Sequence, residues 1–201
     1  MDWVRAYSER RTPWDLSMVT PPLRALLRSG RHLHWGLPKR ARVAVPGCGR
    51  GHDLRALSAA GMRVTGFDIV PDVVDEARAL LRWNRASGKV LCRDVLGLAQ
   101  EFGESFDLVY DYTCFAALPR YLRKSYALEM RTILDTGGIL LQLAFPFGGP
   151  VNGGGPPYPI LLEDLAESIG PWFDLVEDFA AEGSPTGRAG AERWFVWRVR
   201  G

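Results

Sequence analysis

Residues 41–53 read ARVAVPGCGRGHD, and they contain the clearest local signal in the chain. It opens with an apolar run typical of a buried strand, continues into three glycines spaced two residues apart, and is followed by a helical pattern. Because glycine lacks a side chain and adopts positive φ readily, such a strand–turn–helix lets a backbone approach a ligand closely. Glycine-rich turns are also common without a ligand, so this spacing alone leaves both interpretations open.

Strand and helix patterns alternate on both sides of this turn. Apolar stretches predict strands at 41–45, 62–67, 88–92, 106–110, 139–145, 173–179 and 193–199. Helical periodicity predicts helices at 23–29, 54–60, 71–85, 118–133 and 161–169, the fourth ending at a glycine C-cap at 136–138. Successive strand–helix–strand units predict an α/β fold with a mostly parallel sheet and helices on both faces.

Composition excludes several classes of protein. The 201 residues fit one domain, 1–201, and 47% hydrophobic with 24% charged residues is ordinary for a globular protein. The formal net charge of +2 and the lack of a basic stripe give no reason to expect nucleic acid as a partner. No stretch is apolar enough to span a bilayer, and the first residues lack the apolar core of a secretory signal. We therefore expect no membrane association.

The number and spacing of the three cysteines indicate in which cell compartment the protein works. Cys48, Cys92 and Cys114 are odd in number and far apart, without metal-ligand spacing. This argues against a disulfide framework and against a zinc site, so no metal is expected. Such cysteine usage suits a reducing environment, and we expect a cytoplasmic protein.

Acidic residues follow the predicted strands at the ends where an open parallel sheet binds its ligands. Asp68 ends the second strand, Asp94 follows the third, and Asp111 with Tyr112 follows the fourth. A carboxylate at Asp68 can accept hydrogen bonds from both hydroxyls of a nucleoside ribose. One such aspartate can be a turn or cap residue, but these features at equivalent strand ends favour a ligand site.

Two classes of cofactor compete for this site. A dinucleotide favours the spacing G-x-G-x-x-G, which places its pyrophosphate at a helix N-terminus. Here Gly47, Gly49 and Gly51 alternate, and Asp53 at the start of the helix would repel a diphosphate. S-adenosylmethionine carries an ammonium group and no phosphate, so an acid is acceptable there. The sequence favours S-adenosylmethionine.

Several pieces of the chain carry a family resemblance. They are TPWD at 12–15, VPGCGRGHD at 45–53, GFDI at 66–69, FDLVYDYTCF at 106–115, and FP at 145–146 with GGPPY at 154–158. The chain resembles the thiopurine S-methyltransferase family, especially its branch of halide, thiocyanate and thiol methyltransferases. The similarity runs from residue 3 to residue 158 and then fades.

This resemblance implies a class I methyltransferase (Rossmann-like) sheet of seven strands, the last antiparallel, and an N-terminal helical cap at 1–38 over the cofactor site. It implies that S-adenosylmethionine is bound by Trp14, Pro46, Gly47, Cys48, Gly49, Gly51, Asp68, Ile69, Asp94, Val95 and Asp111. In that arrangement the glycines hold the methionine part, Asp68 the ribose and Ile69 the adenine, while the Trp14 ring folds over the cofactor. The acceptor pocket would be formed by Tyr112, Phe115, Pro156, Pro157 and Tyr158.

The expected reaction is an in-line methyl transfer to a small soft nucleophile, most simply a thiol sulfur. A thiol has a pKa near 8.5, so some thiolate exists at neutral pH and little base catalysis is needed. Asp111 and Tyr112 are the candidate catalytic residues, and either could take a proton from a neutral thiol. The alternatives are an O- or N-methyltransferase of a small metabolite, or a non-catalytic cofactor-binding partner subunit.

Two regions depart from the family pattern. A glycine- and proline-rich stretch at 147–159 predicts a long loop, and its glycines leave the shape of the acceptor pocket open. Near the C-terminus, Arg188 and Arg193 match the family's basic segment only loosely. An arginine there could attract an anionic acceptor, but we expect solvated surface residues.

Overall fold

The computed structural model describes residues 1–149 and 154–201, so residues 150–153 of the predicted long loop lie outside the described chain. Within these ranges seven strands form one sheet. They are β1 Arg42–Pro46, β2 Arg63–Asp68, β3 Gly88–Cys92, β4 Phe106–Tyr112, β5 Leu134–Ala144, β6 Phe173–Ala180 and β7 Arg193–Val199.

The strand order is β3-β2-β1-β4-β5-β7-β6. The first five strands of the chain pair in parallel, while β7 runs antiparallel to both β5 and β6. This arrangement confirms the predicted α/β sheet whose last strand is antiparallel. The chain proceeds from β1 towards one edge of the sheet and from β4 towards the other, which creates a topological switch point at the carboxyl ends of these two neighbours.

The helices cover both faces of the sheet. They are α1 Trp3–Ser8, α2 Pro21–Ser29, α3 His52–Ala59, α4 Pro71–Trp83, α5 Ala99–Phe102, α6 Cys114–Ala117, α7 Arg120–Ile133 and α8 Leu162–Ser168, with 3-10 turns at Arg31–Trp35 and Val95–Gly97. On β1, Val43 and Val45 join one buried cluster with α2, α3 and α4, while Ala44 joins another with α7 and α8. This alternation is the period of two expected of a strand that is buried on both faces. None of the helices in the described ranges is both long and apolar enough to cross a membrane.

The predicted glycine C-cap at 136–138, after the helix before β5, was wrong. α7 ends at Ile133, because Leu134 adopts an extended conformation with φ −84° and ψ 140°. Leu134 is fully buried and pairs with Phe106 of β4, so its burial draws the chain into the sheet. Gly137 has a φ of +75° but lies within β5, opposite a register shift in β4, and does not cap the helix.

Candidate active site

The glycine turn after β1 has the backbone that its composition predicted. Gly47, Gly49 and Gly51 have φ values of +59°, +52° and +82°, in the region that favours glycine. A Cβ at Gly51 would lie 3.0 Å from Cβ of Ala77 on α4, and one at Gly47 would lie 3.2 Å from Sγ of Cys114. The turn therefore packs closely against two other elements, and side chains there would displace them.

Asp68 connects this turn to the end of β2. Its Oδ2 accepts the N–H of Gly49 at 2.9 Å and its Oδ1 accepts the N–H of Val70 at 3.1 Å. Burial raises the pKa of Asp68 above its ordinary value, although these backbone bonds oppose the shift. The side chain is 7% exposed and that remaining surface faces a cavity.

Two cavities meet at the carboxyl ends of the strands. The larger has a volume of about 700 Å³, and the smaller, of about 80 Å³, lies against the glycine turn. Among the predicted site residues, the larger cavity is lined by Trp14, Gly47, Asp68, Ile69, Asp94, Val95, Pro156 and Pro157. The smaller is lined by Trp14, Gly47, Cys48, Gly49, Gly51 and Tyr112. Pro46, Asp111, Phe115 and Tyr158 line neither cavity.

Aromatic residues of the N-terminal segment surround Trp14. Its indole N–H donates to Oη of Tyr7 at 3.1 Å, and its ring packs edge-on against those of Trp3 and Tyr7 at centroid distances of 5.3 and 5.8 Å. Trp3, Tyr7 and Trp14 all line the larger cavity. Of these three residues, only Trp14 was predicted from the sequence to contact the cofactor. A signal for the other two was present, because Trp3 and Tyr7 share one face of a short amphipathic helix.

Asp53 ties this N-terminal segment to the central sheet. Its carboxylate accepts the backbone N–H of Thr20 at 2.7 Å, the hydroxyl of Thr20 at 2.6 Å and the hydroxyl of Tyr110 at 3.0 Å. Burial raises the pKa of Asp53, and these donors counteract the rise. Asp53 lines the smaller cavity, so it both anchors the segment before α2 and adds acidic character beside the glycine turn.

Asp111 lies beneath the cavities rather than on their walls, which differs from the expectation of cofactor contact. It is 1% exposed, and its oxygens accept the N–H groups of Cys114 and Phe115 and the hydroxyl of Tyr126 at 3.0 to 3.3 Å. Burial raises its pKa to about 6, against these hydrogen bonds. Because both carboxylate oxygens hold the chain that enters α6, Asp111 positions this turn.

Tyr112 takes part in a polar chain with two late residues. Its hydroxyl donates to Oε1 of Glu192 at 2.5 Å and accepts from the guanidinium of Arg188. Burial, followed by the hydrogen bond to Glu192 and the charge of that residue, raises the pKa of Tyr112 well above its ordinary value. The phenol therefore stays protonated, and a neutral phenol has no basic oxygen to take a thiol proton. This arrangement argues against the general-base role expected for Tyr112.

The expectation of a solvated Arg188 was wrong. Arg188 is 7% exposed, lines the larger cavity and donates to the backbone oxygens of Pro13 at 2.9 Å and Trp14 at 3.1 Å. Its guanidinium also lies 4.9 Å from the centre of the Phe145 ring. Arg193, by contrast, forms a partly exposed pair with Asp178 at 2.8 Å, as expected of a surface arginine.

Arg123 supports the chain at Tyr158 and Pro159 from below, and the sequence patterns did not reveal this. The side chain is fully buried, pairs with Asp164 at 3.1 Å and donates to the backbone oxygens of Tyr158 at 3.2 Å and Pro159 at 3.1 Å. Its guanidinium also covers the Phe115 ring at 4.8 Å. A signal was present, because position 123 shares the apolar face of α7 with Tyr126.

The strand order, the glycine turn after β1 and the acid at the end of β2 together define a class I methyltransferase. In agreement, the fold matches that of a 1,6-didemethyltoxoflavin N1-methyltransferase from Burkholderia thailandensis with a TM-score of 0.74 and 20% identity, over 100% of this chain and 86% of that one. The sequence model described as thiopurine S-methyltransferase matches residues 1–179. The chain belongs to the thiopurine S-methyltransferase family, and its cofactor is S-adenosylmethionine.

Curated relatives from plants and bacteria agree with this membership. A probable thiol methyltransferase 2 from Arabidopsis thaliana is 31% identical over 96% of this chain and 83% of its own length. A thiopurine S-methyltransferase from Xanthomonas euvesicatoria is 33% identical over 79% of this chain and 76% of its own length.

The site fits this cofactor. The three glycines leave a cradle that any Cβ would narrow, and an acid stands at the end of β2 beside it. The cavity of about 700 Å³ lies within the range of small-molecule sites and is lined in part by Trp3 and Trp14. Acidic and aromatic side chains suit a cationic, phosphate-free ligand.

Proposed function

We propose that this enzyme transfers a methyl group to the sulfur of a small thiol, held in line with the donor carbon. The observation that carries the proposal is a buried cation in an apolar wall. Arg188 is 7% exposed and borders the larger cavity together with Leu118, Leu122, Phe145, Pro156 and Pro157. A cation in such surroundings lowers the pKa of a nearby thiol and favours an acceptor that binds as an anion.

In this proposal the residues around the glycine turn bind S-adenosylmethionine. The backbone at Gly47, Gly49 and Gly51 would hold the methionine part, with Pro46 and Cys48 fixing the turn. Asp68 would accept from the ribose hydroxyls, while Ile69, Asp94 and Val95 would border the adenine. When bound, S-adenosylmethionine supplies a methyl group on a positively charged sulfur. Trp14 would cover it and exclude water.

The residues around the methyl acceptor would mainly bind and orient it, rather than transfer a proton. The apolar wall would exclude water and strengthen the interaction between Arg188 and a thiolate. Phe115 and Tyr158 would shape this wall from behind, since Arg123 holds both of them. Tyr112 would orient Arg188 through its hydroxyl, and Asp111 would fix the turn at 113–115. In this proposal a thiol reaches the site partly ionised and no side chain serves as a general base.

A matched set of acceptors tests the proposal. Benzenethiol, phenol and aniline share one ring and differ in the nucleophilic atom, and thiocyanate adds a small inorganic anion. We expect methylated product from the thiol and none from phenol or aniline. Product from phenol or aniline alone would identify an O- or N-methyltransferase. If S-adenosylhomocysteine binds but no acceptor reacts, the chain would be a cofactor-binding partner subunit.

We also propose that the enzyme works in the cytoplasm. Cys48, Cys92 and Cys114 are all free thiols in the structure. A reducing compartment keeps such thiols unpaired. Immunoblotting of fractionated source cells would test this placement, and recovery of the protein outside the cytoplasmic fraction would contradict it.

A further inference from the structure

We infer that Arg50 and Arg188 are positioning residues that hold segment 13–15 closed over the cofactor cavity. The two arginines come from different loops and bind adjacent residues of this segment: Arg188 contacts Pro13 and Trp14, and Arg50 contacts Asp15. We call this pair of contacts the latch. The inference rests on the cofactor assignment and is independent of which acceptor is methylated.

Arg188 forms one half of the latch. Its Nη2 donates to the backbone oxygens of Pro13 at 2.9 Å and Trp14 at 3.1 Å, while its Nη1 donates to the hydroxyl of Tyr112. The planar guanidinium is suited to this, because it presents several donors in a fixed fork. It therefore links segment 13–15 to the end of β4 through one side chain.

Arg50 forms the other half, from within the glycine turn. Its guanidinium pairs with Asp15 and with Glu76 of α4, the latter at 2.5 Å, and lies 5.2 Å from the centre of the Tyr7 ring. The side chains of Arg50 and Asp15 are only 25% and 11% exposed. Such a partly buried pair is screened by salt less than a surface pair.

Trp14 lies between these two anchors and lines both cavities. Its indole is fixed in turn by Tyr7, which Arg50 covers. Pro13 and Trp14 form part of the wall of the larger cavity, so a ligand bound there would contact segment 13–15. Breaking either anchor should therefore speed dissociation, even though neither arginine needs to touch the cofactor.

Hydrogen exchange on the ligand-free protein tests the latch directly. We expect Arg50→Gln and Arg188→Gln to raise the exchange rate of backbone amides in residues 3–20, while amides of β4 and β5 stay at wild-type rates. Arg200→Gln is the matched control, because Arg200 pairs with Asp174 on the exposed surface. Unchanged exchange in residues 3–20 of both latch variants would overturn the inference.

The dissociation rate of S-adenosylhomocysteine, followed by tryptophan fluorescence, gives the second measurement. We expect each latch variant to raise this rate about tenfold or more, as loss of a charged hydrogen bond predicts. Arg50→Lys should restore most of the wild-type rate, since it retains a charge for Asp15. Arg188→Lys should not, since its single ammonium nitrogen lacks the planar fork in which Nη1 bonds Tyr112 and Nη2 bonds the two carbonyls. Equal rescue by both lysines would contradict the assigned contacts.

Asp15→Asn provides a route that leaves both arginines in place. It removes the charge that pairs with Arg50, while the amide oxygen of asparagine can still accept the backbone N–H of Ser17. We expect it to show the same faster exchange and dissociation as Arg50→Gln, and it replaces that variant if Arg50→Gln folds poorly. Wild-type behaviour of Asp15→Asn in both measurements would refute that half of the latch. These experiments use no acceptor, so failure of the thiol proposal would leave their outcome unaffected.

Discussion

The backbone N–H of Gly49 donates to Oδ2 of Asp68 over 2.9 Å, which makes the glycine turn and the end of β2 one structural unit. The two residues are the strongest sequence signals for a nucleoside cofactor, and the structure shows that they are also mechanically coupled. A change at either one should therefore affect both parts of the cofactor site.

Replacing Asp68 by alanine should weaken binding of S-adenosylhomocysteine. The variant loses the proposed ribose acceptor and leaves the N–H of Gly49 without its partner, so we expect affinity to fall about 10- to 100-fold. Isothermal titration calorimetry measures this, with Asp174→Ala on the exposed surface as the control. Wild-type affinity in Asp68→Ala would remove Asp68 from the site.

Gly51→Ala should destabilise the fold and weaken the cofactor site together. Alanine at a φ of +82° costs about 1 to 2 kcal/mol, and its Cβ would lie 3.0 Å from that of Ala77. Gly103→Ala is the matched control, since Gly103 has a φ of −50° and a Cβ added there would meet no atom within 4 Å. Denaturant unfolding should show a lower free energy of unfolding for Gly51→Ala alone, and equal values would contradict the strain argument.

The titration of Asp111 should make stability depend on pH. Its pKa is about 6 in the folded chain against an ordinary 3.8, so between these values the folded chain holds a proton that the unfolded chain has released. Asp111 therefore stabilises the folded chain most at low pH, and this contribution to the free energy of unfolding is lost as the pH rises from 3.8 to about 6. Relative to Asp111→Asn, the wild type should gain up to about 3 kcal/mol between pH 7 and pH 4. A pH-independent difference between the two proteins would refute this.

Arg123 and Arg120 offer a matched comparison, because both pair with Asp164. Arg123 is fully buried and Arg120 is 55% exposed. Arg123→Met should lower the free energy of unfolding by about 3 kcal/mol, since it removes the buried partner of Asp164 and leaves three backbone oxygens without their donor. Arg120→Met should cost less than about 1 kcal/mol. Similar losses in chemical denaturation would show that burial of Arg123 is unimportant.

The architecture could be predicted because its signals are local. The glycine turn, Asp68 and the alternating strand and helix patterns each depend on neighbouring residues, and all of them predict the same sheet. The family resemblance then predicted the antiparallel last strand. Local patterns failed at the end of α7, where pairing of Leu134 with Phe106 overrides the glycine signal.

The orientation of side chains at the end of β4 could not be predicted. The strand continues to Tyr112 rather than ending at residue 110, so Asp111 lies within it and turns towards Tyr126, away from the cavities. Period-two alternation then directs Tyr112 to the opposite face. Because β4 extends two residues further than predicted, Tyr112 faces the smaller cavity and Asp111 does not.

The burial of Arg188 depends on partners that are distant in sequence. Two of its acceptors are the backbone oxygens of Pro13 and Trp14. Every residue has such an oxygen, so the type of residue does not indicate this contact. Only the closure of the N-terminal segment over the β6–β7 connection brings these groups together. Sequence patterns could therefore indicate an arginine near the site but not its role.

A competition experiment measures which atom of the acceptor the enzyme methylates. The enzyme is given S-adenosylmethionine with a trideuterated methyl group and equal concentrations of benzenethiol, phenol and aniline, and the products are identified by mass spectrometry. We expect trideuteromethyl phenyl sulfide as the main product, formed together with S-adenosylhomocysteine. Label on the oxygen or nitrogen compound, with none on sulfur, would contradict it.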